Sequence, residues 1–376
     1  MGRLARLITD AWMPPASPLH GVPGERAKRL GERYHPELEG KTTDLTRSLI
    51  AHELLWSARG LNGWNLFMTR NRWFQERAAD LLGDAAGRPI VFAHSYAALE
   101  IFRRAKDRGW RCVLGQIDPG ERHFSIIADK ARHAPEYGPA PPAPPPSYLG
   151  QWRQECEMAD CIVVNSEWSR RCLEEVGVAS SKLTITPLAY EADRAGAEPH
   201  FYPRHFTPQR PLKLLFVGQA SVGKGIKELL DATTLLAGAP ISLTIVGDRA
   251  AVIPEHFAGD PRIHWTGAVS RSDVMAHYRI ADVLIFPSHS DGFGMAQVEA
   301  QGWRLPIIAS PSSGRVVTDG VNGIVLPEVT AGAIASAVRR VLAAPQLLAS
   351  FSEASGIQGG QGLDPLGRAL AALEAA

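Results

Sequence analysis

Two carboxylates placed eight positions apart, Asp291 and Glu299, are the acids of this sequence best placed to do chemistry. The stretch SDGFGMAQVE ends in Glu299 and carries Gly292 and Gly294 on either side of a phenylalanine. An apolar run before it predicts a strand, and a helix is expected from Gly294 with Glu299 in its second turn. Glycines let a backbone approach a ligand, and a helix N-terminus attracts phosphate. We therefore expect a ligand with phosphate between two hydroxyl-bearing ends, such as a nucleotide sugar. A capping Asp and a solvated Glu are the structural alternative.

A second glycine-rich stretch, residues 214–225 (LLFVGQASVGKG), follows another predicted strand. It nearly spells G-x-x-x-x-G-K-[ST], the phosphate-binding loop of P-loop nucleotide hydrolases, with Lys224 in the lysine position. Gly225 stands where that mechanism needs a hydroxyl for Mg²⁺, so a P-loop NTPase or kinase is the weaker alternative. A lysine at a helix start beside a glycine loop still suits a diphosphate.

The composition is that of a soluble globular protein. A length of 376 residues exceeds one ordinary core and predicts two domains. The net charge of +1 gives no overall field that would recruit nucleic acid. The sequence shows neither a long apolar run nor a signal-peptide core, so we expect a cytoplasmic protein. Its four cysteines form no C-x-x-C pair and are expected to be reduced and mostly buried.

Predicted strands and helices alternate along both halves of the chain. In the first half the predicted strands are 89–93, 111–115, 161–164 and 183–186, and the predicted helices are 96–108, 148–159 and one from a capping Ser166 to Glu175. In the second half the predicted strands are 213–217, 242–246, 262–265, 283–286, 306–309 and 323–325, with helices starting near Lys224, Arg271, Gly294 and Thr330. Apolar strands that alternate with helices favour an α/β fold with parallel sheets covered on both faces.

The chain is divided by a segment rich in proline, histidine and charge. The predicted organisation is a first domain 1–190, a linker 191–211, a second domain 212–345 and a tail 346–376 that packs back on the first domain. Open parallel sheets bind ligands beyond the carboxyl ends of their strands, so two such domains predict a cleft at the linker.

Two further regions of the first half have unusual compositions. The proline-rich stretch 135–146 predicts a stiff extended loop. The aromatic stretch 64–74 predicts a packed pair of helices.

The second half resembles the donor domain of family 4 glycosyltransferases. The resemblance rests on FVGQASVGKGIKELLDA, LTIVGD, IHWTGAVS, ADVLIFPSHSDGFGMAQVEAQGWRLPIIAS and VVTDGVNGIVLPE, in that order, over about residues 212–343. More loosely, ADCIVVNS (159–166) is similar to the family's strand before the linker. The resemblance implies a GT-B fold, in which two Rossmann-like parallel-sheet domains face an interdomain cleft. It also implies that the enzyme moves a hexose from a nucleotide-diphosphate sugar to a hydroxyl acceptor with retention of configuration.

The resemblance also implies roles for individual residues. Asp291 would contact the donor sugar and Glu299 the ribose, with Lys224 as the diphosphate cation. The donor-binding residues it implies are Gly218, Gln219, Lys224, Val269, Ser270, Asp291, Gly292, Phe293, Gly294, Met295 and Glu299. The catalytic candidates are Asp291, Lys224, His94 and Asp118, of which the last two are alternatives for the family's cleft histidine.

The chain departs from the family pattern at three places. Gln219 stands where arginine is usual, and Asp291 where glutamate is usual. The family's glycine-rich loop after the first strand is missing, because Gly21 and Gly24 in residues 13–30 are a poor substitute. A catalytically silent GT-B module that binds sugar or a partner protein therefore stays open beside the transferase and the P-loop enzyme.

The expected partners are a nucleotide-sugar donor and a hydroxyl acceptor. UDP, GDP and ADP are all open as the nucleotide, and a glycan, a lipid-linked glycan and a small aglycone as the acceptor. A lipid-linked acceptor would bring peripheral contact with the inner face of the membrane, whereas nucleic acid is not expected. The chain contains no Asp-x-Asp, so we expect no metal and no other cofactor. The leaving diphosphate would take the acceptor proton without a protein nucleophile.

Overall fold

The computed structural model describes residues 4–17, 33–83, 89–188, 200–356 and 364–375. The chain forms two compact units: a first unit of residues 1–115 and 144–160, and a second unit of residues 116–143 and 161–376. Part of the predicted linker, residues 191–199, and the pair Gly21 and Gly24 lie outside the described residues. The domain boundaries proposed from the sequence stay a prediction.

The described elements alternate between strand and helix along most of the chain. The strands are β1 (Leu7–Thr9), β2 (Thr42–Asp44), β3 (Ile90–His94), β4 (Arg111–Gly115), β5 (Cys161–Val164), β6 (Leu183–Ile185), β7 (Leu212–Val217), β8 (Ile241–Val246), β9 (Ile263–Gly267), β10 (Val283–Phe286), β11 (Ile307–Ala309) and β12 (Gly323–Val325). The helices are α1 (Thr46–Ala58), α2 (Gly63–Asp80), α3 (Leu99–Lys106), α4 (Glu121–Arg132), α5 (Pro146–Met158), α6 (Glu167–Glu175), α7 (Ile226–Leu235), α8 (Glu255–Ala258), α9 (Arg271–Ile280), α10 (Met295–Gly302), α11 (Ala331–Ala343), α12 (Gln346–Ala354) and α13 (Asp364–Ala375).

The first unit contains parallel strand pairs and helices. Strand β1 pairs with β2, and β3 pairs with β4, both in parallel. The aromatic stretch 64–74 lies within the single helix α2, and Trp73 of this helix meets Trp56 of α1 edge to face with ring centroids 6.3 Å apart. Trp64 of α2 contacts Tyr148 of α5 at 4.9 Å. The stretch is thus packed against other helices as expected, but it forms one helix and not a pair.

Helix α3 starts three residues later than predicted. Tyr96 has a φ of 72°, in the left-handed region, so it cannot be the first residue of a right-handed helix. The fully buried Glu155 of α5 accepts hydrogen bonds from the N–H groups of Tyr96 at 2.7 Å and Ala98 at 3.0 Å. Burial raises the pKa of Glu155, and these N–H donors oppose the rise. The acid thus supplies partners for the free amides of the helix start.

The second unit contains a six-stranded sheet in the order β12-β11-β10-β7-β8-β9. Every neighbouring pair in it is parallel. From β7 the chain first adds strands on one side, through β8 to β9, and then adds β10, β11 and β12 on the other. This is the doubly wound order, which reverses between β7 and β10. Strands β5 and β6 of the same unit also pair in parallel.

Side-chain alternation gives this sheet two apolar faces. On one face, Leu214 and Phe216 of β7 pack with Leu230 of α7 and Val338 of α11. On the other face, Leu215 of β7 packs with residues of β10 and of the helices α9 and α10. Successive residues of a strand point to opposite faces, so continuous apolar runs such as LKLLFV indicate burial on both sides. The predicted α/β fold with parallel sheets is confirmed.

The predicted elements of the second half match the structure to within two residues. The prediction that residues 135–146 form an extended loop is partly wrong. Pro135–Tyr137 forms a 3-10 helix with Tyr137 buried, and Pro146 begins α5. Proline suits the first position of a helix, where its missing N–H costs nothing. The four cysteines are buried and free, as expected. No helix within the described ranges is long and apolar enough to cross a membrane.

Candidate functional site

The reversal of strand order in the second unit marks where a ligand is expected. Strands β7 and β10 are parallel neighbours, so their carboxyl ends lie side by side at one edge of the sheet. In open α/β sheets the loops that follow such a pair of strands generally diverge toward opposite faces and leave a crevice, and ligands bind there. Residues 218–225 follow β7 and residues 287–294 follow β10, so the two stretches singled out from the sequence meet at this point.

An ion pair joins these two loops. Lys224, at the end of a 3-10 helix, donates from Nζ to Oδ2 of Asp291. Both side chains keep access to solvent, 36% exposed for Lys224 and 15% for Asp291. Two hydrogen bonds hold Asp291: its N–H donates to Ser312 O, in the loop after β11, at 3.0 Å, and its Oδ1 accepts from Phe293 N–H in its own loop at 3.3 Å. The structure thus brings together the two residues predicted for phosphate and sugar.

Close backbone contact fixes the two loops against each other. Gly225 has a φ of 73°, and a Cβ at this position would lie 2.0 Å from Pro287 O. The His289 N–H donates to Gly223 O at 3.0 Å. Nε2 of the buried His289 lies 2.9 Å from Oε1 of Glu228, although not in line for a hydrogen bond. No side chain fits at residue 225 without rebuilding the crevice, so a magnesium-binding hydroxyl is not available there.

The two glycines of the acidic stretch are explained largely by protein contacts. Gly294 caps α10 with a φ of 83°, and a Cβ there would lie 2.5 Å from the ring of Phe286. A Cβ at Gly292 would lie 2.8 Å from Nδ2 of Asn165 and 3.1 Å from Ile117 O. The sequence had suggested close approach to a ligand. In the structure both glycines give room to neighbouring protein groups.

The second acid of the stretch has a neutral hydrogen-bond partner, whereas the first is paired with a cation. Glu299 accepts a hydrogen bond at Oε2 from the hydroxyl of Tyr278, at 2.9 Å. Burial raises the pKa of Glu299, while the Tyr278 hydrogen bond and the charge of Arg271 lower it. Tyr278 and Arg271 both belong to α9, so Glu299 faces the helix whose start was predicted to hold the base.

The remaining predicted donor-binding residues lie at the ends of the same strands and helices. Ser270 caps α9 and accepts at Oγ from Asp273 N–H at 3.2 Å. Val269 is partly buried against the apolar core. The other positions are Gly218, which follows β7 directly, Gln219, which is exposed, Phe293, which is buried, and Met295, which begins α10 and is half-buried. Their roles in ligand binding stay predictions.

A histidine that sequence reasoning missed lies beside the ion pair. His123 of α4 has its Nδ1 3.1 Å from Oγ of Ser290, the residue before Asp291. Trp168 of α6 donates to the same oxygen at 3.1 Å. An indole can only donate, so Ser290 Oγ accepts from Trp168. The direction of the His123–Ser290 hydrogen bond depends on the imidazole tautomer: with the ring proton on Nε2, the Ser290 hydroxyl donates to Nδ1.

Charges around His123 place it in the site. Burial lowers the pKa of His123, and the charge of Lys224 lowers it further. The charges of Asp118 and Asp291 act in the opposite direction. A histidine that feels all three charges lies close to the ion pair. The apolar spacing of Phe124, Ile127 and Ala131 would have indicated helix α4 and so the placement of His123 on its first turn.

The two sequence candidates for the cleft histidine differ in placement. Asp118 accepts at Oδ1 from Gln116 Nε2 at 2.9 Å and from Gly120 N–H at 2.8 Å, which is the geometry of a turn aspartate. Its charge also reaches His123, as described above. His94 ends β3 in the first unit, is exposed, and packs edge to face with Phe92 at 5.5 Å. The catalytic roles of Asp118 and His94 stay predictions.

The first unit has a concave region of its own, with a volume of about 450 Å³. It is lined by Asp10, Ala11, Arg33, Thr46, Ile50, Glu53, Leu54, Ser57, Leu66 and Arg70. Arg70 pairs with Asp10 at 3.1 Å and approaches Glu53 at 3.5 Å. Asp10 directly follows β1, so the cavity opens at the carboxyl end of a parallel strand.

Metal-ligating side chains do not gather within the residues that the structure describes. No group of three or more His, Cys, Asp or Glu side chains there could hold a metal ion. Independence from metal stays a prediction, to be tested with a chelator.

Comparison with known proteins gives a family match over part of the chain and several distant relatives. Residues 201–356 match the family model described as Glycosyl transferases group 1. A D-inositol 3-phosphate glycosyltransferase from Geodermatophilus obscurus is 27% identical over 289 residues, which cover 69% of this chain and 61% of that protein. The chain spans 48% to 61% of the length of the first curated relatives it matches.

Two solved structures share the fold. Sucrose-phosphate synthase from Thermosynechococcus elongatus is similar with a TM-score of 0.61 at 16% identity, over 83% of this chain and 78% of that one. Anabaena HepE in complex with UDP has a TM-score of 0.57 at 14% identity, over 82% of both chains. Both are GT-B glycosyltransferases, and the predicted GT-B fold is therefore confirmed.

Proposed function

We propose, from the premise that residues 201–356 belong to the glycosyl transferases group 1 family, that this protein transfers a hexose from a nucleotide-diphosphate sugar to a hydroxyl acceptor. The configuration at the sugar's anomeric carbon would be retained. The observation that carries the proposal is the meeting of Lys224 and Asp291 at the point where the strand order reverses. A cation for phosphate and an acid for sugar hydroxyls stand there side by side.

The donor would lie along the carboxyl edge of the six-stranded sheet. Its diphosphate would contact Lys224 and the start of α10, because an ammonium and a helix N-terminus both attract anions. Its sugar hydroxyls would donate to Asp291, and its ribose hydroxyls to Glu299. The base would lie near residues 269–270, at the start of α9. HepE is described in complex with UDP and with UDP-glucose, so UDP-glucose is the first donor to test.

The chemistry asked of the protein is positioning and charge stabilisation. The bond between the anomeric carbon and the leaving phosphate oxygen breaks, and a bond to the acceptor oxygen forms on the same face. The acceptor proton passes to the leaving diphosphate, so no protein nucleophile takes part. Negative charge grows on the diphosphate as its bond to the sugar breaks, and Lys224 lies where it would stabilise that charge. Holding donor and acceptor together supplies much of the remaining rate enhancement.

The acceptor would bind in the cavity of the first unit. Its two acids, Asp10 and Glu53, are balanced by Arg33 and Arg70, which suits a neutral ligand rich in hydroxyls. Carboxylates accept from hydroxyls and guanidinium groups donate to them. Ile50, Leu54 and Leu66 would offer an apolar wall to the C–H face of a sugar or cyclic polyol.

The P-loop alternative is disfavoured by the contact at residue 225. A Ser or Thr at that position would place its Cβ 2.0 Å from Pro287 O, so the crevice has no room for the hydroxyl that binds Mg²⁺ in such enzymes.

The experiment that tests the proposal measures release of nucleoside diphosphate from UDP-, GDP- and ADP-hexoses, with EDTA present, against a panel of neutral glycans and polyols. We expect release from one donor that depends on an acceptor and disappears in Lys224→Ala. Lys227→Ala is the matched control, because Lys227 lies on the next helix and pairs with Asp231 instead. Donor binding without turnover would instead make the chain a sugar-binding module.

The acceptor site has its own test. We expect Arg70→Ala to raise KM for the acceptor and leave the donor KM unchanged. Arg72→Ala serves as the control, since Arg72 lies on the same helix with 79% of its side chain exposed. An unchanged acceptor KM in Arg70→Ala would place the acceptor elsewhere.

A further inference from the structure

We propose that Asp291 competes with the diphosphate for Lys224, so that the site prefers a sugar-bearing nucleotide over the bare nucleoside diphosphate. This inference rests on the proposed function, because it assigns a specificity role within the same donor site. It also gives the site a means of expelling its product once the sugar has left.

The ion pair is held in place by backbone contacts. Lys224 follows Gly223, whose carbonyl accepts from the His289 N–H, and Asp291 is held by its N–H bond to Ser312 O. The two loops therefore hold the ammonium and the carboxylate within reach of each other. A diphosphate that takes the ammonium must displace a partner already in place.

The local charge balance makes this displacement costly. The charges that act on His123, next to the pair, are those of Asp118, Asp291 and Lys224. Of the charged groups that act on His123, one is a cation and two are acids. Gln219 is neutral and exposed, so it adds no second positive charge beside Lys224. When a diphosphate takes Lys224, Asp291 is left as a carboxylate beside further negative charge, and like charges in a partly buried site repel strongly.

A sugar on the diphosphate changes this outcome. Its hydroxyls donate to Asp291, so the carboxylate exchanges an ammonium partner for hydroxyl partners while the diphosphate takes the ammonium. A bare nucleoside diphosphate offers no such donors. After transfer the sugar leaves with the acceptor, Asp291 loses its hydroxyl partners, and its return to Lys224 favours product release.

The test is titration calorimetry of UDP, GDP, ADP and their glucose conjugates against wild type, Asp291→Asn and Asp291→Ala. For the nucleotide that binds wild type, we expect both variants to bind the bare diphosphate about fivefold more tightly and the sugar conjugate about fivefold more weakly. Asp231→Ala controls for the general loss of one negative charge, because Asp231 pairs with Lys227 at 2.6 Å outside the site. It should change neither affinity.

The double variant Lys224→Ala with Asp291→Ala tests whether Lys224 is the group for which Asp291 and the diphosphate compete. In the Lys224→Ala background, removal of Asp291 should no longer tighten diphosphate binding. Unchanged or weaker diphosphate binding in Asp291→Asn and Asp291→Ala would overturn this inference alone. A gain that persists in full without Lys224 would also overturn it. If neither the three diphosphates nor their glucose conjugates bind wild type, the proposed function fails, and the inference fails with it.

Discussion

The loop after β10 and the helix α10 that follows it carry one acid each, in opposite environments. In the loop, Asp291 meets the ammonium of Lys224 at the mouth of the crevice. In the helix, Glu299 is turned toward α9, where burial raises its pKa and a tyrosine hydroxyl is its partner. The two carboxylates, eight residues apart, therefore have different partners: an ammonium for Asp291 and a tyrosine hydroxyl for Glu299. The difference indicates separate tasks for the sugar end and the ribose end of a donor.

The largest effect is expected from removing the cation of the loop. Lys224→Ala should weaken nucleotide-sugar binding by roughly 1.5–3 kcal/mol, because it loses a charge-assisted contact and leaves Asp291 unpaired. Calorimetry measures this loss directly, with Lys227→Ala as the matched control. Equal affinity in wild type and Lys224→Ala would show that the diphosphate lies elsewhere.

The acid of the loop should affect turnover more than nucleotide binding. Asp291→Ala removes the group proposed to orient the sugar, so kcat should fall by a larger factor than the affinity for the nucleotide changes. Steady-state kinetics beside binding titrations separates the two quantities. A drop in UDP or GDP affinity that matches the loss of kcat would contradict a sugar-facing role for Asp291.

The acid of the helix should affect the nucleotide itself. Glu299→Ala is expected to weaken binding of the bare nucleoside diphosphate by about 1.5 kcal/mol, because the ribose hydroxyls lose a charged acceptor. Glu328→Ala, which removes an exposed acid of the same unit, is the control. If both variants bind as wild type does, Glu299 is a structural residue of the α9–α10 contact.

The pH dependence of nucleotide binding offers a smaller and sharper test. Because the pKa of Glu299 is raised, binding should begin to weaken at a higher pH than an ordinary glutamate, near 4.3, would give. Tyr278→Phe removes a hydrogen bond that lowers this pKa, so the onset should move to still higher pH. Identical pH profiles of nucleotide binding for wild type and Tyr278→Phe would show that the ionisation of Glu299 does not affect binding.

The raised pKa of Glu299 also determines how this residue changes the stability of the fold with pH. A carboxyl whose pKa is raised by folding stabilises the folded state below its unfolded pKa, and this contribution is lost as pH rises through the folded pKa. At pH 7 the ionised Glu299 therefore costs stability. Glu299→Gln should keep or raise the melting temperature there even while it weakens nucleotide binding.

The smallest effect is expected at His123. Burial lowers the pKa of this histidine, so it should stay neutral at pH 7 and gain its proton only below the ordinary value near 6.5. Protonation would remove the acceptor at Nδ1 for Ser290 and add a charge beside Lys224. We expect activity to fall on the acid side, and the fall to be shallower in His123→Asn. If the loss of activity at low pH is the same in His123→Asn as in wild type, another group is responsible for it.

The sequence predicted the six-stranded unit far better than the first unit. Long apolar runs such as 283–286 are buried on both faces, and that pattern is local and strong. Strands β1 and β2 have three residues each, none of them buried, so no such pattern marks them. The late start of α3 depends on Glu155, which lies over fifty residues away in the chain, and no local signal carries that contact.

The site was predicted only in part, because local motifs can be recognised in the sequence whereas contacts between distant segments cannot. Lys224 and Asp291 each carry a local motif, and the strand order brings the two motifs together. Gly292 was interpreted as room for a ligand because its neighbour Asn165 comes from a distant segment. His123 shows a different kind of miss, since the helical spacing around it was present in the sequence and was not used.

The central claim is that the crevice between β7 and β10 binds a nucleotide-diphosphate sugar without metal. The most direct measurement is the melting temperature of wild type with UDP, GDP, ADP and their sugar conjugates in EDTA, and with ATP in the presence and absence of Mg²⁺. A ligand that binds only the folded state raises the melting temperature. We expect one diphosphate to raise the melting temperature without metal and its sugar conjugate to raise it further. Stabilisation by ATP with Mg²⁺ alone would contradict the account and favour a P-loop enzyme.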